Sequence, residues 1–470
     1  MSLFGTNGVR GKLDSLDASA AFDLASSFAT WCTGKEIALE SSHGSTARNR
    51  PAPIAIGRDM RLTSPMLHSA VEAGILSAGK DALDLGLVSS PVAEWALEKR
   101  KAAGLIIVTA SHNPPEWNAL KFVDGKGIAI SHERGAEIER MALGKKFMRS
   151  EWNHVGRKQE YPNAATDHAA AVLKAVDAEK IRKRKLRIAL DFGNGTSALS
   201  RPVFESLGCE VTVLNEKIDG HFPGRLSEPS EPNVQRLLKA VREKSADFGV
   251  AWDGDSDRVV FVDERGSWIV GDKGFAISAK KACEEAKGQR EKVVVTTVAT
   301  SRCVEDACAS LGAKTVYTKV GAPYLSEKIV ELGKKVVSGG EEVGGVIWPG
   351  FSLAKDGIFA AAKMCEMACD KKMSELVAEL PVYYNAKAKP EAAPEKKEAG
   401  LAAAKKHAEK SGGRLTLIDG VRIDFEDGWA IVRASGTENA MRIFAEAKTQ
   451  KRADSLMKEY KDVVEKAMES

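Results

Sequence analysis

Features that mark several specialised classes of protein are missing from this chain of 470 residues. No apolar stretch approaches the roughly 20 residues that a helix needs to span a bilayer. The segment from Met1 to Gly8 lacks the charged and apolar regions of a secretory signal. The seven cysteines show neither C-x-x-C spacing nor neighbouring histidine clusters, which argues against a zinc site and favours reduced thiols. We therefore expect a cytoplasmic protein with no membrane partner.

Charge of one sign is not in excess either. Lys and Arg number 69 and Asp and Glu number 65, so the formal net charge is +4, which is too small to indicate a nucleic-acid partner. The densest basic run, from Lys180 to Arg187, has no interleaved aromatic residues. It is typical of a solvent-facing helix end that leads into a strand. We expect no nucleic acid among the partners.

Short apolar runs alternate with longer helical patterns over most of the chain. Residues 105–108 and 186–191 are typical of buried strands, and residues 65–79 of a helix with Pro65 in its first turn. This alternation predicts α/β domains, and roughly 100–200 residues per domain allows three or four of them. We predict three similar α/β domains in series and a smaller C-terminal α+β domain. The expected boundaries are 1–158, 159–264, 265–378 and 379–470.

The first of four motifs follows the run 105–108 and extends from Thr109 to Pro114. It places Ser111 in a sharp loop, where the hydroxyl can be exposed as a nucleophile. A serine hydroxyl reacts poorly unless it is activated or phosphorylated beforehand. Alone, the loop is equally typical of an ordinary capped turn.

Three aspartates alternate in a second loop between two apolar runs. Asp253, Asp255 and Asp257 would repel one another unless a cation lay among them. Hard oxygen ligands suit Mg²⁺. An EF-hand is excluded because Arg258 stands where that loop needs a glycine. The loop predicts a magnesium site, and the alternative is a solvated acidic turn.

Two further loops offer groups for a phosphorylated sugar. The segment Gly339–Gly345 contains Glu341, whose carboxylate can accept hydrogen bonds from two vicinal hydroxyls. The segment Arg433–Asn439, with Arg442 after it, supplies an arginine, hydroxyls and a glycine-opened backbone for a phosphate. Each is also typical of a polar surface turn.

In combination, the four motifs indicate phosphoryl transfer on a phosphorylated polyol. A haloacid-dehalogenase-like sugar phosphatase is the alternative, because Asp253 and Asp255 also form a D-x-D pair. In that enzyme Asp253 would be the nucleophile, and the serine loop would have no role. A sugar-phosphate-binding protein without turnover is disfavoured, because Ser111 and all the aspartates are present.

The residues of these motifs resemble the α-D-phosphohexomutase family, especially its archaeal phosphoglucosamine and phosphomannose/phosphoglucose mutases. The resemblance follows the order of the family and covers nearly the whole chain. The matching segments are Phe4–Gly11, Gly57–Arg61, Thr109–Pro114 with Asn118–Lys121, Asp253–Arg258, Gly340–Gly345 and Arg433–Glu438.

The resemblance implies four domains around a central cleft and an isomerase that interconverts hexose 6-phosphate and hexose 1-phosphate. The hexose would be glucosamine, mannose or glucose, and a hexose 1,6-bisphosphate would be both intermediate and activator. Ser111 would be a phosphoserine. One Mg²⁺ per chain would be bound by Ser111, Asp253, Asp255 and Asp257. The partners would be small-molecule sugar phosphates, and a homodimer is compatible with the sequence.

The family also implies roles for further residues. Lys121 or His112 would shuttle the proton. The catalytic residues would be Ser111, His112, Lys121, Arg10 and Arg258. The substrate-binding residues would be Glu341, Arg433, Ser435, Gly436, Thr437 and Arg442.

Two positions depart from the family pattern. The sugar loop of the family commonly reads G-E-x-S-G, whereas Val343 occupies the serine position here. One hydroxyl contact is therefore missing, which leaves the identity of the sugar open. Asn439 replaces the proline that usually ends the phosphate loop, a change that we expect to alter only the stiffness of the loop.

Overall fold

Strands and helices alternate along the chain, and the described residues form four β-sheets in series. The computed structural model describes residues 4–5, 7–43, 52–435 and 439–469, without the side chains of residues 35–43. The first part of the chain contains β1 (Phe4–Gly5), β2 (Gly8–Lys12), α1 (Ala18–His43), β3 (Ile54–Arg58), α2 (Ser64–Ser77), β4 (Ala82–Leu87), α3 (Ser90–Arg100), β5 (Gly104–Val108), β6 (Trp117–Asp124), α4 (His132–Leu143) and β7 (Lys158–Glu160). Its strand order is β1-β2-β6-β5-β3-β4-β7.

The next two parts of the chain carry the second and third sheets, which both combine parallel and antiparallel strands. The second contains α5 (Ala164–Ala175), α6 (Ala178–Arg184), β8 (Arg187–Asp191), α7 (Arg201–Ser206), β9 (Glu210–Leu214), α8 (Gln235–Glu243), β10 (Phe248–Trp252), β11 (Val259–Val262) and β12 (Trp268–Ile269), in the order β12-β11-β10-β8-β9. The third contains α9 (Gly271–Glu285), β13 (Lys292–Thr297), α10 (Arg302–Ala309), β14 (Ala313–Thr318), α11 (Ala322–Leu332), β15 (Val336–Glu341), β16 (Gly345–Ile347), α12 (Gly357–Ala368) and α13 (Met373–Ala378), in the order β14-β13-β15-β16.

The last part of the chain carries the fourth sheet, which has five strands and is antiparallel throughout. It contains β17 (Tyr384–Ala388), α14 (Lys397–Ala408), β18 (Arg414–Thr416), β19 (Val421–Asp424), β20 (Gly428–Ala434), β21 (Met441–Ala447) and α15 (Gln450–Glu469). The strand order is β17-β21-β20-β19-β18. The predicted fold class, α/β units in series with a C-terminal α+β unit, is therefore confirmed, while the exact domain boundaries stay predictions.

Each of the first three motifs lies at the same place in its sheet. In the first three sheets a strand with a parallel neighbour is followed by an antiparallel one, as β5 is by β6, β10 by β11 and β15 by β16. The loops with Ser111, the aspartates and Glu341 begin where the parallel strand ends. In the fourth sheet, which is antiparallel, Arg433 lies near the end of β20. This repetition follows the general rule that ligand sites collect at the carboxyl ends of strands.

Buried apolar side chains hold the first three sheets together. Leu105, Trp252, Phe275 and Phe359 all belong to one continuous cluster, and burial of each such side chain contributes roughly 1.5–3 kcal/mol. The indole Nε1 of Trp252 also donates a hydrogen bond to the carbonyl of Gly357 at 2.9 Å. The relative positions of the first three loops are thus set by a shared core.

The fourth sheet packs against the third. Trp429 and Ile431 of β20 contact Val298, which follows β13. The guanidinium of Arg422 donates to the carbonyl of Val298 at 2.6 Å, and the backbone N–H of Arg302 donates to Glu446 at 2.8 Å. Apolar packing and hydrogen bonds together fix the start of the last motif relative to the sugar loop.

The basic run Lys180–Arg187 extends from the end of α6 into β8. Lys180 pairs with Asp370 at 2.5 Å and Arg184 with Asp247 at 3.4 Å. Acidic neighbours therefore offset part of its charge. Among the described residues, no helix is both long and apolar enough to cross a membrane.

Candidate active site

Ser111 lies in a buried loop between β5 and β6, with a left-handed backbone (φ 52°). Its N–H donates to the hydroxyl of Thr109 at 3.0 Å, which stabilises the unusual turn. Its Oγ donates to Oδ2 of Asp253 at 2.6 Å. The structure therefore brings the predicted nucleophile directly against the first of the predicted metal ligands.

The side chain of Arg61 holds this loop by hydrogen bonds to its backbone carbonyl oxygens. Its fully buried guanidinium donates to the carbonyl oxygens of Ser111 (2.8 Å), Asn113 (2.7 Å), Pro114 (2.5 Å) and Trp117 (2.9 Å). The rigid fork of five N–H donors suits this task, because one side chain can satisfy several carbonyls at fixed angles. Arg61 belongs to a segment that the sequence matched to the family without giving it a role.

Asp59 orients Arg61. One carboxylate oxygen accepts from Nε of Arg61 at 3.0 Å and from the hydroxyl of Thr109 at 2.8 Å, and the other accepts from the hydroxyl of Ser64 at 2.6 Å. A buried arginine with a single carboxylate and several carbonyls is a fully satisfied network. This network fixes the turn that presents Ser111.

The predicted aspartates form a compact, buried group. Asp253, Asp255 and Asp257 each have an oxygen within 4.8 Å of an oxygen of the others. The Oδ1 atoms of Asp255 and Asp257 have no hydrogen-bond partner among the described residues. Buried, unpartnered carboxylate oxygens are costly without a cation, and hard oxygen donors suit Mg²⁺. The donor set fits the predicted metal.

Two serines join this group to the rest of the site. The hydroxyl of Ser227 donates to the carbonyl of Ser111 at 2.9 Å and accepts from the N–H of Gly254 at 3.0 Å. The hydroxyl of Ser90, at the start of α3, donates to Asp255 at 2.6 Å. Direct hydrogen bonds therefore fix the position of the serine loop relative to the aspartate loop.

Lys121 supplies positive charge to the aspartates. Its Nζ lies 2.6 Å from Asp255 and 3.3 Å from Asp257. Burial alone would lower the pKa of Lys121, but the two carboxylates raise it well above its ordinary value. Lys121 is therefore held in its charged form, and its raised pKa makes it a weaker acid than an ordinary lysine.

His112 behaves in the opposite way. Its Nδ1 lies 3.5 Å from Oγ of Ser111. Burial, followed by the charges of Arg258 and Arg10, lowers the pKa of His112 to about 2. The imidazole is thus neutral at physiological pH, and burial and the two arginines oppose its protonation. Arg10 itself is held by Asn113, whose amide oxygen accepts from Nη1 at 2.6 Å.

The sugar loop is tied to the aspartates by a lysine that no motif marked. Nζ of Lys355 lies 2.6 Å from Oε1 of Glu341 and 3.4 Å from Oδ2 of Asp257. All three side chains are buried. Gly344 (φ 90°) lies so close to β11 that a Cβ would approach the carbonyl oxygen of Val259 to 2.3 Å. The loop therefore packs directly on the second sheet.

Arg433, at the end of β20, pairs with Asp419 at 2.7 Å. Its charge also reaches Glu342, where it acts against the rise in pKa that burial and Glu341 cause. Arg442 is the cross-strand neighbour of Arg433, and the carbonyl of Ser435 accepts from Lys397 at 2.7 Å. The predicted residues Gly436 and Thr437 lie outside the described residues.

The predicted residues thus fall into connected groups. Ser111, the aspartates and Lys121 are in contact, and Lys355 extends that group to Glu341. In the fourth sheet, Arg433 lies close enough to Glu342 of the sugar loop for its charge to lower the pKa of that carboxyl group. Their individual roles stay predictions.

Glu94 is another titratable group near the site that the sequence did not single out. It lies one helical turn after Ser90 on α3 and lines a cavity of about 210 Å³ together with Ala354. Burial raises the pKa of Glu94 to about 7, although the charge of Lys121 acts against this rise. A glutamate on a helix usually faces solvent, so no pattern indicated its position.

Family models match the chain in four consecutive parts. Phosphoglucomutase/phosphomannomutase alpha/beta/alpha domain I matches residues 1–149, domain II 166–266 and domain III 270–384, and the C-terminal domain matches 372–463. A phosphoglucomutase/phosphomannomutase of Thermococcus kodakarensis is 39% identical over 96% of both chains. A probable phosphoglucosamine mutase of Methanosarcina acetivorans is 37% identical over 100% of both. A phosphoglucomutase/phosphomannomutase family structure from Burkholderia thailandensis, 24% identical, superposes with a TM-score of 0.85 over 99% of this chain and 97% of that one.

Proposed function

The chain belongs to the phosphoglucomutase/phosphomannomutase family of α-D-phosphohexomutases, and we propose that Ser111 carries the phosphoryl group in its reaction. It is an isomerase that interconverts hexose 6-phosphate and hexose 1-phosphate. The observation that carries the proposal is the 2.6 Å hydrogen bond from Ser111 to Asp253, within the buried group of aspartates. The haloacid-dehalogenase interpretation is not supported, because the family matches extend over the serine loop as well.

Charge neutralisation is the main task of this site, because phosphoryl transfer places negative charge on the equatorial oxygens. Arg10 and Arg258, whose charges both act on His112 beside Ser111, are suited to stabilise that charge. Asp253, Asp255 and Asp257, with an oxygen of phosphorylated Ser111, would hold Mg²⁺. When bound, the ion would withdraw charge from the transferring group.

Proton transfer falls to two groups in opposite states. His112 and Lys121 are the candidates for moving the proton between the sugar hydroxyl and the enzyme. Nδ1 of His112 lies 3.5 Å from Oγ of Ser111, and Nζ of Lys121 lies 2.6 Å from Oδ2 of Asp255.

The sugar and its second phosphate have separate binding groups. Glu341, oriented by Lys355, would accept hydrogen bonds from sugar hydroxyls. Arg433, with Ser435, Gly436, Thr437 and Arg442, would bind the phosphate that is not reacting. We propose glucosamine, mannose or glucose phosphate as substrate and a hexose 1,6-bisphosphate as activator.

The first prediction concerns Ser111 itself. The purified protein should carry substoichiometric phosphate on the peptide Ala110–Lys121, and Ser111→Ala should lower turnover to below about a thousandth of the parent rate. Intact mass and peptide mapping check the phosphate. Coupled assays on the 1- and 6-phosphates of glucose, mannose and glucosamine check turnover.

Ser69→Ala is the matched control, because Ser69 is exposed on α2 and its hydroxyl donates only to the carbonyl of Pro65 at 3.0 Å. It should retain full activity. Turnover by Ser111→Ala, combined with complete loss in Asp253→Asn, would instead assign the nucleophile to Asp253.

A further inference from the structure

Arg433 is already held by a carboxylate. Asp419, in the turn between β18 and β19, accepts a hydrogen bond from Nη2 of Arg433 at 2.7 Å. The side chains are 14% and 23% exposed. A charge-assisted bond at this distance, partly shielded from water, is among the stronger hydrogen bonds in proteins.

The same carboxylate oxygen reaches the third sheet. Oδ2 of Asp419 also accepts the backbone N–H of Val320 at 2.8 Å, and Val320 follows β14 closely. One oxygen thus joins the arginine of the fourth sheet to the backbone of the third. The position of Arg433 is therefore defined relative to the unit that carries the sugar loop.

The turn is built to place Asp419 there. Gly420 (φ 78°) follows it, and a Cβ at that residue would lie 2.2 Å from the carbonyl oxygen of Val432 and 3.1 Å from Cα of Arg433. Any side chain would push the turn away from β20. The close approach of Gly420 brings Asp419 alongside the arginine.

We propose that Asp419 is a positioning residue that holds Arg433 ready for the phosphate that is not reacting. This inference rests on the proposed function, which assigns that phosphate to Arg433. Asp419 engages Nη2, while Nε of Arg433 is buried and has no hydrogen-bond partner within the part of the chain that the structure describes. An arginine ordered beforehand loses less rotational freedom when the anion binds.

An alternative role for Asp419, in which it competes with the phosphate for Arg433, predicts the opposite effect on substrate binding. If Asp419 occupied the place of the phosphate, substrate would have to displace it, and removing the carboxylate would tighten binding. If Asp419 orients Arg433, removing it weakens binding. Because the bond to phosphate persists through the reaction, the loss appears mainly in KM.

The test compares Asp419→Ala and Asp419→Asn with the parent enzyme, using glucose 1-phosphate and glucosamine 1-phosphate. We expect Asp419→Ala to raise KM about tenfold while kcat changes less than about twofold. Asp419→Asn should raise KM less, because its amide oxygen can still accept from both Arg433 and Val320. An unchanged or lowered KM in Asp419→Ala would overturn the inference.

Asp427→Ala is the matched control, since Asp427 pairs with Arg452 at 3.0 Å on the exposed surface of the same unit. It should leave KM unchanged. A purely structural role of Asp419 would lower the melting temperature and the amount of active enzyme without raising KM, so the split between KM and kcat decides the matter.

A binding measurement separates this inference from the proposed function. Calorimetric titration of glucose 6-phosphate into Ser111→Ala, with and without Asp419→Ala, needs no turnover. Weaker binding in the double variant supports the positioning role even if the parent shows no mutase activity. Equal binding in both, with an active parent, overturns the positioning role and leaves the mutase assignment intact.

Discussion

Asp272 is a buried carboxyl group in the first turn of α9, and its Oδ1 accepts the N–H of Ser301 at 2.8 Å. Burial raises its pKa to about 8, and the charges of Glu342 and Glu446 add to the rise against the effect of the Ser301 hydrogen bond. The folded protein therefore keeps this proton at neutral pH, whereas the unfolded chain has released it.

This difference predicts how stability changes with pH. Between about pH 4 and pH 8 the folded state binds more protons than the unfolded chain, so the contribution of Asp272 to the free energy of unfolding falls as pH rises. Asp272→Asn keeps the acceptor oxygen without the charge. Its stability relative to the parent should increase as pH rises from 5 to 8, by several kcal/mol over that range. Urea unfolding at pH 5, 6, 7 and 8 measures this, and a constant difference across the series would contradict it.

At the scale of one loop, the arrangement around Ser111 predicts a catalytic effect from a residue that does not touch substrate. Arg61→Lys keeps the charge but loses the fork that binds four carbonyl oxygens. We expect kcat to fall about 10- to 100-fold and KM to change much less, because the loop no longer presents Ser111 at a fixed angle. Steady-state kinetics and the phosphate content of Ser111 measure the effect.

Arg140→Lys is the comparison for Arg61→Lys, because Arg140 is an exposed arginine on α4 whose Nε donates to the carbonyl of Ala136 at 3.3 Å. It should behave as the parent. Full kcat in Arg61→Lys would mean that the turn is held by Thr109 and Ser227 without help from the guanidinium.

The same loop shows what the sequence can and cannot predict. The strand 105–108 and the turn that carries Ser111 were predictable because local residues define them. The role of Arg61 was not, because its acceptors lie about 50 residues away. Lys355 and Asp419 each lie only 14 residues from their partners, Glu341 and Arg433, and were missed because the sequence does not show how the chain between them folds back.

At the scale of the whole molecule, loops of different sheets contribute different parts of the reaction. Arg433 would hold the phosphate that is not reacting, so Arg433→Ala should raise KM. The variant should also release the bisphosphate intermediate while it reorients in the cleft. Its activity should therefore depend strongly on added hexose 1,6-bisphosphate. Asp255→Asn should instead lower kcat by about a hundredfold at every bisphosphate concentration, because it removes a metal ligand.

Titration of glucose 1,6-bisphosphate against both variants, with consumption of glucose 1-phosphate as readout, measures the contrast. Rescue of Asp255→Asn together with no response from Arg433→Ala would show that the two loops have been assigned wrongly.

The distance along the chain between the parts of this site has a consequence during translation. Ser111 leaves the ribosome 142 residues before Asp253, its hydrogen-bond partner, and Arg433 emerges a further 180 residues later. With the proposed roles, a nascent chain or a fragment that stops before β20 exposes a serine loop but cannot retain a sugar phosphate. If Arg433 has the proposed role, copies that stop before β20 should be inert toward sugar phosphates.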